Sequence, residues 1–217
     1  STTRSARWLA SPSRSKPDVT HAHDGVGRWL ALAQRGSTAG ALAGGVLILA
    51  AAVLVSVDVL VRKFANVTLG GADELSGYAL AIGSTWSFGF VLLARANVRI
   101  DALYQHLPRG LAAVCDIASI AALLVFGAVV AWHGWGVVAQ SWASSSRSNS
   151  SLAVPLVIPQ LLWWLGYAWF VACGLLLALR SLGAFARRDW TAVNALIGAR
   201  TIEEEANEEL ANAEAAR

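Results

Sequence analysis

AGALAGGVLILAAAVLVSVDVLV, residues 39–61, carries a single charge, Asp58. A bilayer core is about 30 Å thick, and ~20 helical residues rising 1.5 Å each will cross it. The stretch is therefore long enough and apolar enough to be a membrane span. Three further runs match it: LSGYALAIGSTWSFGFVLLA (75–94) has no charge, 111–139 is interrupted only by Asp116 and His133, and LAVPLVIPQLLWWLGYAWFVACGLLLAL (152–179) has none. Composition agrees, with 14% charged and 56% apolar residues, where soluble domains hold about 25% and 45–50%. The expected fold is an all-α membrane protein. It has four transmembrane helices, spans about 39–61, 73–94, 111–139 and 153–179, with interfacial amphipathic helices beside them. A membrane barrel would instead show ten-residue segments of alternating polarity. The third run exceeds one crossing, so it either tilts or lays its first turns in the interface.

The net charge of +3 matters less than its distribution. Arg4, Arg7, Arg14, Lys16, Arg28 and Arg35 precede the first span, and Arg62 and Lys63 follow it. Arg95, Arg99 and Arg109 lie between spans two and three, Arg147 between three and four, and Arg180, Arg187 and Arg188 at or beyond the fourth. Placing the N-terminus inside collects twelve basic residues on that face and leaves three outside. The positive-inside rule then puts both termini in the cytoplasm. Charge of this kind reads as topology and contact with the lipid bilayer. No folded basic face points to nucleic acid. The polar opening and the missing cleavage-site flank make the first run a retained span rather than a leader.

This divides the chain into a cytoplasmic tail (1–35), a membrane domain (36–180) and an acidic cytoplasmic tail (181–217) with six Glu. The N-terminal tail mixes Ser, Pro and charge and is expected to be mostly disordered. Within it RWLALAQRG (28–36) suits a short interfacial helix. Pro155 and Pro159 open the fourth span, the second at a position that would kink it.

Candidate chemistry is sparse. Bis-His haem needs histidines facing each other inside the bundle, yet of His21, His23, His106 and His133 only the last falls in a span. No phosphate loop, nucleophile motif or metal-ligand spacing is visible, so neither catalysis nor a cofactor is expected. Cys115 and Cys173 read as small buried hydrophobes. Intramembrane acids are costly and are functional candidates by default. Asp58 stands four residues before Arg62, one side of a helix. Glu74, at the mouth of span two, gains from the helix dipole and is a candidate partner of Arg62. Asp116 sits in the first turns of span three. Trp132, Trp135, Trp142, Trp163 and Trp164 cluster at the external ends of spans three and four, where amphipathic rings anchor a helix at headgroup depth. Gly40-x-x-x-Gly44 is a close-packing pattern for helices in lipid.

One more stretch joins these features. Span two ends in LLARANVRIDALYQHLP (92–108), with Arg95, Asn97, Arg99 and Asp101 between apolar residues. The succession of DVLVRKF, a short loop, ADELSGYALAIGSTWSFGFVLLA, this segment and the proline-bearing SLAVPLVIPQLLWWLGY resembles the small permease subunit of tripartite ATP-independent periplasmic (TRAP) transporters. Arg62 matches the family's basic position, Glu74–Leu75 its acid–Leu pair, and Val98-Arg99-Ile100-Asp101 with Leu107-Pro108 its later signature. Asn97 departs from the histidine the family often has. The resemblance covers roughly 40–180.

It implies a multi-pass protein of the bacterial inner membrane that works beside a large multi-span permease subunit and a periplasmic solute-binding protein. In that reading sodium-coupled uptake of organic acids belongs to the other components, and this chain braces the large subunit without binding solute. Asp58, Arg62, Glu74, Arg95, Asn97, Arg99 and Asp101 become the candidate structural and subunit-interface residues. Segment 96–107 would lie along the cytoplasmic interface as an amphipathic anchor. Two other readings compete: a membrane anchor for a quinone-linked oxidoreductase, and a stand-alone small transporter. The first wants intramembrane histidines and the second a polar path through the bundle.

Overall fold

A computed structural model describes residues 25–96 and 108–198, together with the single positions 210 and 213. Its helices are α1 (Gly25–Ala65), α2 (Ala72–Leu93), α3 (Arg109–Ala143), α4 (Val157–Ala186) and the short α5 (Trp190–Ile197). Among the described residues no strand forms; an isolated bridge between Arg147 and Pro155 latches the α3–α4 loop. The first four helices are each long and apolar enough to cross a membrane. The all-α architecture with four spans thus follows from the apolar runs.

The helices overshoot the runs that announced them. α1 is 41 residues, about 60 Å at 1.5 Å per residue. Residues 28–36 are not a separate interfacial helix but its first turns. Arg28 and Arg35 made this segment look external to the span; nothing in their backbone interrupts a helix. α4 likewise continues past Arg180 to Ala186, so the boundary expected at residue 180 falls inside a helix. Pro159 lies in the first turn of α4, where a missing N–H costs nothing.

Packing runs in series, α1 on α2, α2 on α4 and α4 on α3, with α1 touching α4 only slightly. Glycines make the seams. A Cβ on Gly44 would stand 2.7 Å from the Gly83 carbonyl oxygen, and one on Gly83 2.8 Å from that of Gly44. Gly166 lies against Thr85, Gly127 against Phe170, and Gly174 against Leu124 and Leu92. Small residues let backbones approach, which is how helices gain contact where lipid is as apolar as leucine.

Three helices end in one motif. At the end of α2 the amide of Arg95 bonds to the Leu92 carbonyl and that of Ala96 to Val91. Ser145 and Ser146 do the same to Trp142 and Ser141, and Arg188 and Asp189 to Phe185 and Ala184. This is the Schellman pattern, with Arg95 (φ 54), Ser145 (φ 48) and Arg188 (φ 56) in the left-handed position usually held by glycine. Arginine there places its charge at the negative end of the helix dipole. Asp189 then caps α5 through Oδ1, accepting the Ala192 amide at 3.0 Å. α5 turns back and buries Val193 and Ile197 against α3 and α4.

Candidate functional site

The polar residues are concentrated at the end of the bundle where α1 meets α2 and α3 meets α4. Asp58 is 2% exposed, two turns before the end of α1. Its Oδ2 pairs with the Arg62 guanidinium. Its Oδ1 accepts from the Thr68 hydroxyl at 3.1 Å and from the Leu69 amide at 2.7 Å. One buried carboxylate therefore ties the last turns of α1 to the loop that follows. Gly70 (φ 64) and Gly71 (φ 89) complete that loop in a conformation other residues resist. The same two glycines lie against Ser151 and Leu152, so the two loops on this side form one surface.

Glu74 does not pair with Arg62. Arg62 is taken by Asp58, and Glu74 Oε1 accepts from the Tyr78 hydroxyl at 2.5 Å, one turn along α2. The Ser150 and Ser148 hydroxyls face the carboxylate, but they lie outside hydrogen-bonding geometry to Oε2, which is buried with no partner. The two serine hydroxyls bond to each other at 3.1 Å. Asp116 lies two turns into α3, 2% exposed and partnered.

Of the other candidates, Arg95 closes α2 as described and makes a further interaction. Asn97, Arg99 and Asp101, and the 96–107 anchor of which they form part, lie outside the described residues beyond Ala96. The tryptophans separate into two kinds. Trp132, Trp135 and Trp142 are mostly exposed on α3. Trp163 and Trp164 are partly buried on α4, Trp164 tilted at 50° to Trp135 with ring centroids 4.9 Å apart and donating to the Ala131 carbonyl at 2.8 Å. Trp163 meets the edge of Tyr167 at 5.1 Å.

Two residues that sequence reasoning passed over hold the opposite half together. Ser37, fully buried on α1, accepts from Trp169 Nε1 at 2.9 Å and lies 3.6 Å from Cys173 Sγ. Trp86 Nε1 donates to the Leu162 carbonyl at 3.1 Å, joining α2 to α4. A serine among small residues carries little signal alone. The clue was its heptad distance from Gly44, on the same face of α1. The cysteines are both free, Cys115 exposed and Cys173 buried. Among the described residues no group of His, Cys, Asp and Glu could hold a metal ion.

Long apolar helices, glycine seams and a buried acid bound into the adjoining loop define an integral membrane protein of the helical kind. The family model for the DctQ component of tripartite ATP-independent periplasmic transporters matches residues 51–190. The chain belongs to that family and is a small membrane component of such a transporter. Neither a curated protein nor a solved structure matches it.

Proposed function

We propose that this chain braces the large permease subunit of a sodium-coupled transporter for organic acids, holding it at fixed depth while solute crosses elsewhere. The supporting observation is how the acids of the described spans are used. Asp58 is consumed by Arg62, Thr68 and Leu69, and Glu74 is bound through Tyr78 to its own helix. Carboxylates bound in this way, Asp58 into the adjoining loop and Glu74 within its own helix, suit a scaffold. A carrier normally keeps ionisable groups near the midplane, aimed into a pathway. In this reading both termini face the cytoplasm, and the α3 and α4 tryptophans sit at the external headgroup layer. A periplasmic solute-binding protein supplies the solute.

The proposal assigns Asp58, Arg62 and Glu74 to shaping the external loops, and Arg95, Asn97, Arg99 and Asp101 to the cytoplasmic contact with the large subunit. The test is assembly. With the large subunit co-expressed and the small chain tagged, Arg99→Ala and Asp101→Ala should lower recovery of the large subunit severalfold. Wild-type recovery with both variants would remove the cytoplasmic contact from the proposal.

A further inference from the structure

Arg28, Arg35, Leu42 and Leu49 follow one another at intervals of seven on α1, which places them on a single face of the helix. All four are exposed, as are Val46 and Val53 beside them. The face is cationic at one end and purely apolar beyond it. Within α1 the first acidic residue after them is Asp58, more than six turns beyond Arg35, and among the described residues neither arginine forms an ion pair. At the junction of the two halves is a groove of about 460 Å³, lined among the described residues by Ala31, Gln34, Arg35, Thr38, Ala39 and Leu42.

We infer that this face binds an anionic phospholipid, its phosphate held by Arg35 and Arg28 and its acyl chains laid along Leu42, Val46 and Leu49. The dimensions suit that occupant. Leu42 and Leu49 lie about 10 and 20 Å along the axis from Arg35, and one leaflet's hydrocarbon is about 15 Å deep. The side chains discriminate between lipid and another helix. Where helices of this chain meet they do so on glycines such as Gly44, Gly83 and Gly166. This face projects branched side chains instead, Leu42 and Val46 both 68% exposed, and its glycine, Gly45, has nothing within 4 Å. Two exposed arginines with no ion pair among the described residues favour a headgroup with net negative charge over a zwitterionic one.

The test is native mass spectrometry of the full chain released from mixed micelles with equal phosphatidylglycerol and phosphatidylethanolamine. Wild type should retain phosphatidylglycerol preferentially. Arg28→Gln with Arg35→Gln should cut that preference about tenfold, while Arg28→Lys with Arg35→Lys keeps most of it. Circular dichroism of each variant confirms that the helices persist. Equal retention of the two lipids by wild type would overturn the inference, as would an unchanged preference in the glutamine variant. A third result would also overturn it: co-expressed large subunit displaces the lipid, and the glutamine variant lowers recovery of that subunit, which gives the face to a protein helix.

Discussion

Asp58 shows what a single carboxylate organises. It accepts from three groups on one helix end and one loop, and removing it strands the Thr68 hydroxyl, the Leu69 amide and the Arg62 charge together. Asp58→Asn keeps an acceptor for the loop and loses the charge; Asp58→Ala loses both. Thermal unfolding in detergent should rank wild type above Asn and Asn above Ala, and the Leu69 amide should exchange faster in both variants. At the other end, Ser37→Ala leaves the Trp169 indole N–H without its acceptor and should cost about 1 kcal/mol. Trp169→Phe should cost a similar amount, and the double variant should cost less than the sum because both remove one bond. Additive losses would mean the bond contributes nothing. The sequence pointed to Asp58 because an acid inside an apolar run needs a partner, and Arg62 at four residues was the visible one. Thr68 and Leu69 were not legible, since they reach Asp58 across a turn that no periodicity encodes. Glu74 went to Tyr78, also four residues away, because Arg62 was already engaged.

At the scale of elements, neighbouring glycines separate packing from tolerance. Gly44 faces the Gly83 backbone while Gly45 faces open space. Gly44→Val should force α1 from α2 and cost about 1–3 kcal/mol or more, whereas Gly45→Val should unfold within a degree or two of wild type. Equal effects would dissolve the glycine seam. Helix ends offer a gain in stability. Ser145 occupies a left-handed position at φ 48, a conformation costing a non-glycine residue about 1–2 kcal/mol. Ser145→Gly should therefore raise the midpoint of thermal unfolding. These ends were hard to place from sequence because arginine and serine stand where glycine would have marked the stop. The start of α1 was hidden for another reason: charge marks where lipid ends, and a helix can continue into the headgroups and beyond.

For the whole molecule, the four crossings and the family were legible, since apolar length and the order of short motifs survive without any knowledge of contacts. The serial packing of α1, α2, α4 and α3 was not, because each helix is apolar around most of its circumference and no single stripe selects a neighbour. The proposed orientation, with both termini in the cytoplasm, is open to direct test. In a Cys115→Ser background, with Cys173 buried, Asn149→Cys should react with a membrane-impermeant maleimide on intact cells. Ala215→Cys should react only after lysis. The reverse pattern would invert the topology and move the Asp58 loop to the cytoplasm.

The proposed bracing role is tested most directly by uptake into proteoliposomes under an inward sodium gradient, with organic acids supplied on the binding protein. A brace gives no uptake with this chain alone, uptake with the large subunit and this chain together, and loss of uptake when this chain is left out. Sodium-driven uptake by this chain alone, or full uptake by the large subunit without it, would contradict the bracing role.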